Sequence, residues 1–223
     1  MSRSIRKLWA KWRPLLKFSG SNDYWQQRYQ RGGDSGTGSG GESARFKAEV
    51  LNAFVSTFDV RSVVEFGCGD GRQLALAKYP EYLGLDISRD AIALCSRSFA
   101  GDPSKRFGLV EDHPAARADM SISLDVLFHL IEDDVYHRYL QQLFDAGSRF
   151  VVIFSSDEPS QKHSLPHVRH RPVSRDVARD FPGFVSFDPG LQAASTQPDP
   201  HDVPMKFLFY RRAHESHFAY SQD

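Results

Sequence analysis

Residues able to do chemistry gather in a few stretches of this chain. In Val63-Val-Glu-Phe-Gly-Cys-Gly-Asp-Gly71 an apolar run opens into a glycine turn. Gly67 and Gly69 permit a tight bend and leave the backbone bare where a ligand must approach it. Asp86 follows about 20 residues after the first glycine, the spacing at which a carboxylate accepts hydrogen bonds from the ribose hydroxyls of a bound nucleoside. Such charge-assisted bonds are worth about 1.5–3 kcal/mol each. Further on, Asp125 and His129 stand four apart, so a helical turn would bring them to one side. A histidine near its ordinary pKa suits removal of a proton from an attacking hydroxyl; the plainer alternative is a half-buried histidine packed under the next helix. The densest cluster is His163-Ser-Leu-Pro-His-Val-Arg-His-Arg171. There His167 and His170 could supply a base, while Arg169 and Arg171 could hold an anion bidentately, with Ser156 just upstream. A metal held by His163, His167 and His170 is a rival, but no Cys pair or H-E-x-x-H pattern supports it, and no metal is expected. A solvated loop is the third reading.

The elements around these residues alternate. Strands are expected at Ser62–Phe66, Tyr82–Asp86, Phe107–Val110, Met120–Leu124 and Phe150–Phe154, and helices over 72–77, 89–99 and 133–146. Such alternation implies right-handed crossovers and a mostly parallel sheet. Phe184–Phe187 and Met205–Tyr210 follow with little helix between them, as an antiparallel closing pair. Upstream, Phe46, Val50, Leu51, Phe54, Val55 and Phe58 mark one face of a helix over 42–58. A glycine- and serine-rich loop, Gly32–Gly41, precedes it and reads either as a flexible linker or as a loop that approaches a ligand.

A dinucleotide fingerprint, G-x-G-x-x-G, would need glycine where this chain has Arg72, which disfavours a nicotinamide-dependent enzyme. The turn reads G-x-G-x-G instead, with Glu65 two residues ahead. In that form it resembles motif I of the class I S-adenosylmethionine-dependent methyltransferases. Leu83-Gly-Leu-Asp-Ile-Ser resembles the second motif of that family, and Ser123-Leu-Asp-Val-Leu-Phe-His-Leu the segment after its fourth strand. The likeness spans Tyr24 to Tyr210.

That resemblance implies an α/β, Rossmann-like sheet of seven mostly parallel strands in the order 3-2-1-4-5-7-6. Strand 7 would be antiparallel, with helices on both faces and an N-terminal helical cap. It implies S-adenosyl-L-methionine as methyl donor, leaving S-adenosyl-L-homocysteine. Glu65 would place the methionine part, with Gly67, Cys68, Gly69 and Gly71 against the donor. Asp86 and Ile87 would meet the ribose, and Leu124 and Asp125 would border the donor from strand 4. Asp112 is the expected partner of the adenine amino group, in competition with Glu111 and Asp119. Tyr24-Trp-x-x-Arg-Tyr and the Gly32–Gly41 loop resemble the cap of a bacterial subgroup. Tyr24, Trp25 and Arg28, with Tyr29, would then wall the donor, unless they merely anchor an added helix.

No N/D-P-P-Y tetrapeptide follows strand 4, which argues against methylation of bases or glutamine. By analogy with the subgroup, a sugar or glycan hydroxyl is the leading acceptor. A small natural product or a carboxylate is the first alternative. A membrane-associated protein that binds the donor without turnover is the second.

The sequence divides into a basic amphipathic segment (1–18), a helical cap with the Gly/Ser loop (19–58), the methyltransferase-like domain (59–213) and a tail (214–223). In the first, Ile5, Leu8, Trp9, Trp12, Leu15 and Leu16 recur at helical spacing among basic residues. That pattern fits an anionic membrane surface or packing on the domain, with Pro14 interrupting it. A 40% hydrophobic and 25% charged composition is that of an ordinary globular protein. Zero formal net charge argues against non-specific nucleic-acid binding. Two cysteines, Cys68 and Cys95, form no disulfide framework. With no apolar run long enough to span a bilayer and no secretory signal, a cytoplasmic protein is expected, with peripheral contact at the inner face of the membrane through 1–18.

Overall fold

The computed structural model describes residues 18–159, 165–191, 197–198 and 203–213. The segment 1–17, His163 and the 214–223 tail therefore lie outside the described residues, along with the membrane reading attached to the first of them.

Five strands pair in parallel: β1 (Ser62–Phe66), β2 (Glu81–Asp86), β3 (Lys105–Leu109), β4 (Ala118–Leu124) and β5 (Gly147–Ser156). β6 (Phe184–Ser186), the two-residue β7 (Gln197–Pro198) and β8 (Pro204–Arg212) complete the sheet. Its order is 3-2-1-4-5-8-6, with β7 attached to β8 and every contact of β8 antiparallel. With the short β7 set aside, β8 is the seventh strand, and the expected order 3-2-1-4-5-7-6 is the one observed.

Alternation along each strand sends side chains to opposite faces. On one face Val63, Met120, Ile122, Val152, Phe154 and Phe209 meet the apolar stripe of α2 (Gly41–Thr57), which follows α1 (Ser21–Gln30). On the other, Val64, Phe66, Val151, Ile153 and Tyr210 meet α4 (Asp133–Ala146) and α5 (Val173–Asp180). The crossover helix between β2 and β3 is α3 (Arg89–Ser98), capped by Ser88, whose hydroxyl accepts from the Ala91 amide.

Two local expectations differ. The helix expected over 72–77 is only a short 3₁₀ turn, Leu74–Leu76. Asn52 of α2 takes up its end, donating to the Leu76 carbonyl at 3.0 Å and accepting from the Lys78 amide at 2.7 Å. Pro80 also disfavours helix at the preceding residue. The helix α5 lies between β5 and β6, in a stretch for which no element was expected. Its amide and hydroxyl at Ser174 both donate to Asp157, at 2.7 Å each, so the capping carboxylate comes from the end of β5 rather than from the residues just ahead of the helix.

Candidate functional site

At the carboxyl ends of β1, β2 and β4 lies a cavity of about 600 Å³. This is where open α/β sheets bind ligands. Its floor is the glycine turn. Gly67, Gly69 and Gly71 all have positive φ, at 80°, 59° and 77°. Side chains would also be obstructed there: a β-carbon on Gly67 would come 2.6 Å from Val126 Cγ2, and one on Gly69 would run into Ser35 Oγ. The turn is tied to β2 through the Leu85 carbonyl, which accepts from the Gly67 and Cys68 amides at 2.7 and 3.1 Å.

Asp86 closes one side. Its carboxylate is buried, lines the cavity, and accepts from the Gly69 amide at 3.0 Å and the Ser88 amide at 2.9 Å. Burial pushes its pKa up despite those bonds. Ile87 and Leu124 also line the cavity, with Cys68 at its base. Glu65 points to the α2 face of the sheet, where Tyr82 donates to it at 2.6 Å. Desolvation raises its pKa to about 7.

Asp125 follows β4 in a left-handed conformation, φ 60°. Its carboxylate pairs with Lys47 of α2, a side chain only 1% exposed. Lys47 was not among the residues singled out in the sequence, although it stands on the apolar stripe of its helix, three before Val50 and seven before Phe54. A lysine on such a stripe is the signal that could have found it. Gln73 lines the cavity too; its amide donates to the Ala44 carbonyl of α2 at 3.0 Å.

At the other end, His129 ends a 3₁₀ turn, Leu127–His129, and is half-buried. Its Nδ1 meets the His167 carbonyl at 2.9 Å. A carbonyl only accepts, so Nδ1 carries the proton and Nε2 is the nitrogen able to accept one. Burial, more than the nearby His167, Arg28 and His170, lowers its pKa to about 3, so the ring is neutral near pH 7. The edge of Trp25 packs on it at 4.9 Å, and Tyr24 stacks on His167 at 4.4 Å. Asp125 and His129 both line the cavity.

The cap is fastened at both ends. Ser21 donates from its amide and hydroxyl to Glu132, at 3.0 and 2.6 Å. Arg28 does not face the cavity: it grips Asp34, donating to its carbonyl at 2.6 Å and its carboxylate at 3.0 Å. Ser35 exchanges bonds with Asp70 in the glycine turn, at 3.1 and 2.9 Å. The Gly/Ser loop is thus a built wall, contributing Ser35 and Ser39 to the cavity.

The cluster after β5 is arranged otherwise. Arg171 pairs with Asp133 and donates to the Leu130 and Ile131 carbonyls at 3.2 and 2.9 Å. Arg169 joins the same aspartate at 2.9 Å and the Ile131 carbonyl at 2.8 Å. His170 Nδ1 lies 2.7 Å from Ser156 Oγ, both buried. None of these lines the cavity, and neither does Tyr24, His167, Gly71 or Asp112; Glu111 does. Among the described residues no group of three or more His, Cys, Asp or Glu side chains is placed to hold a metal ion. Nor is any described helix long and apolar enough to cross a membrane.

The fold as a whole is shared with one class of solved structures. The chain has the class I methyltransferase fold. It resembles magnesium protoporphyrin IX methyltransferase from Synechocystis PCC 6803 with bound S-adenosylhomocysteine, at 16% identity and a TM-score of 0.60 over 86% of this chain and 98% of that one. It also resembles the N-methyltransferase NodS from Bradyrhizobium japonicum WM9 with the same product bound, at 13% identity, TM-score 0.61, and 85% and 98% coverage. A third neighbour is the cyclase SpnF, at 14% identity, TM-score 0.60, and 86% and 96% coverage. No protein-family model and no curated protein matches the sequence.

Proposed function

We propose that this chain is an S-adenosylmethionine-dependent methyltransferase acting on a hydroxyl oxygen, with a sugar or glycan intermediate as the leading acceptor. The observation that carries the reading is one cavity with two unlike ends. Bare glycine backbone and the Asp86 carboxylate form one end, and a neutral, oriented imidazole forms the other. The donor fits the first end. The cavity volume is within the usual range for small-molecule sites, and the positive-φ glycines keep side chains out of it.

When bound, S-adenosylmethionine supplies a methyl group on a positively charged sulfur. Asp86 is placed to accept hydrogen bonds from ribose hydroxyls, and the backbone of 67–69 to lie along the donor. Glu111, exposed and lining the cavity beyond β3, replaces Asp112 as the acid proposed for the adenine end. His129 Nε2 accepts a hydrogen bond from the attacking hydroxyl and orients it, a ring with its pKa near 3 being a weak base, while the His167 carbonyl holds the ring in that tautomer. Trp25 packs against the ring and excludes water from it. Alignment of the reacting groups supplies the larger part of the acceleration.

An uncharged acceptor is favoured over a carboxylate, because Arg169 and Arg171 are committed to Asp133 and backbone carbonyls. The likeness to a cyclase favours a second reading, in which the same fold serves something other than methyl transfer. Calorimetric titration with S-adenosylhomocysteine, beside Asp86→Ala and an NAD control, tests the donor site. Micromolar binding lost in Asp86→Ala is expected; no binding, or preference for NAD, refutes it. Methyl transfer to an acceptor panel separates the two readings.

A further inference from the structure

The cavity leaves one stretch of the sequence without a task. Residues 1–17 hold six of the chain's 28 basic residues and none of its 28 acids, so residues 18–223 carry 22 bases against 28 acids. The segment is basic and the body is acidic. Arg3, Arg6, Lys7, Lys11, Arg13 and Lys17 are interleaved with Ile5, Leu8, Trp9, Trp12, Leu15 and Leu16. Charge alone would send such a segment to any polyanion. The apolar half, with two of the chain's three tryptophans, suits the boundary between lipid headgroups and acyl chains.

The described body offers those apolar side chains no matching surface. Its exposed large hydrophobic residues are Leu76, Leu165 and Val185, one in the turn after β1, one in the stretch after β5 and one on β6. Single residues so scattered do not make a docking patch. The junction with the body, by contrast, is fixed. Phe18 packs on Tyr24 with ring centres 6.3 Å apart. A side chain on Gly20, at φ 134°, would come 3.2 Å from Glu132 Oε1. Ser21 Oγ accepts from the Ile131 amide at 2.9 Å as well as donating to Glu132. Phe18 stands three residues ahead of Ser21, so the chain enters the body within about 11 Å of it. Ser21, Asn22 and Trp25 line the cavity, and Trp25 packs on His129. The point of entry is therefore the rim of the end assigned to the acceptor.

We propose that residues 1–17 dock this chain on the surface of an anionic lipid bilayer and hold the acceptor end of the cavity at headgroup level. Anionic headgroups meet the six cations, and the acyl boundary takes the apolar side chains. The acidic body is repelled by the same headgroups, which confines the contact to the one rim. The docking stands on the segment and its junction. Its consequence for the substrate rests on the methyltransferase reading: the acceptor hydroxyl belongs to the polar head of an amphiphile whose apolar part stays in the bilayer.

The test is co-sedimentation of the full chain with phosphatidylcholine vesicles, with and without about one-third phosphatidylglycerol. Binding is expected to be at least about tenfold stronger with the anionic lipid. It should weaken at least about tenfold between about 0.1 M and 1 M salt, as the Debye length shrinks from about 10 to 3 Å. Replacing Arg3, Arg6, Lys7, Lys11, Arg13 and Lys17 by Gln should abolish it and leave Tm and S-adenosylhomocysteine affinity unchanged. Orientation is read from fluorophores on Asp23→Cys and Asp59→Cys with a quencher carried in the lipid. Both aspartates are exposed; Asp23 is on α1 beside the junction, and Asp59 precedes β1, at the end of the sheet away from the cavity. The first should be quenched and the second not. Equal wild-type binding to the two vesicle types, or none, overturns the proposal without needing a folded variant. Tighter binding to a DNA duplex than to the anionic vesicles overturns it in favour of nucleic acid. A Gln variant with lowered Tm makes the segment part of the domain and also overturns it, as does equal quenching of the two fluorophores. Failure of wild type to bind S-adenosylhomocysteine removes instead the methyltransferase reading and the acceptor chemistry, while the vesicles still decide the docking.

Discussion

The turn after β1 and the stretch after β5 are both crowded with polar residues, yet they spend them in opposite ways. Around the first, Glu65, Asp86 and Lys47 are buried, Asp125 is half-buried, and all four line the cavity. Around the second, Arg169 and Arg171 close on Asp133 and on the Leu130 and Ile131 carbonyls, and His170 closes on Ser156. The second stretch acts through its backbone: the His167 carbonyl fixes the His129 ring, and the Arg169 amide donates to the Phe128 carbonyl at 2.7 Å. Residue type alone thus overstated the second region. What separates the two is whether the polar side chains line the cavity or turn away from it, and that depends on the fold.

The sharpest way to test the contrast is at its meeting point. His129→Ala should lower turnover about 10–10²-fold, the worth of an orienting hydrogen bond that strengthens as charge develops, with S-adenosylhomocysteine affinity unchanged. Full turnover in that variant would place the chemistry elsewhere. Because His129 is held neutral down to about pH 3, the turnover of wild type should show no loss centred at pH 6.5 on acidification.

Next in size is the pH dependence of stability. Glu65 has its folded pKa raised from 4.5 to about 7, so the folded state binds more protons than the unfolded one between those values. Stability on its account falls as pH rises through that window. Glu65→Gln should remove this fall, changing Tm by roughly 5 °C at pH 7.5 relative to its effect at pH 4.5. His129 has the opposite sign: its folded pKa lies below the unfolded value of 6.5, so its contribution is lost as pH falls from 6.5 toward 3. Thermal melts across pH 3–8 for wild type and the two variants read both slopes.

The smallest expected effect concerns the second region. Arg171→Met removes the bonds holding 130–133 and should lower Tm by roughly 2–8 °C, from about 1–3 kcal/mol of lost hydrogen bonding. The acceptor KM should not change. A raised KM with unchanged Tm would return the arginine cluster to substrate binding and erase the contrast.

Most of the fold was legible because it rests on local pattern. Val63 and Val64 point to opposite faces, α2 shows its stripe, and the glycine spacing with Asp86 belongs to one loop and one strand end. Long-range partners were not legible. That Asp157 would cap α5, that Asn52 would end the turn after Leu76, or that Asp133 would occupy two arginines follows from contacts between residues distant in sequence. The same holds for the site. Asp86 and His129 stood out by type and spacing, whereas Lys47 gains meaning only once α2 lies against β1 and Asp125 comes over it.

One feature of the sheet bears on how the chain is made. β8 lies between β5 and β6 and, among the described residues, is the only neighbour β6 has along the sheet. Chains emerge from the ribosome in sequence order and begin to fold as they do so. β1 to β4 and α2, which contribute to the cavity lining, are complete long before Pro204–Arg212 is synthesised. Throughout that interval β5 offers an open edge of valine, isoleucine and phenylalanine, the kind of edge that recruits strands from other molecules. Aggregation risk is therefore greatest while β8 is awaited.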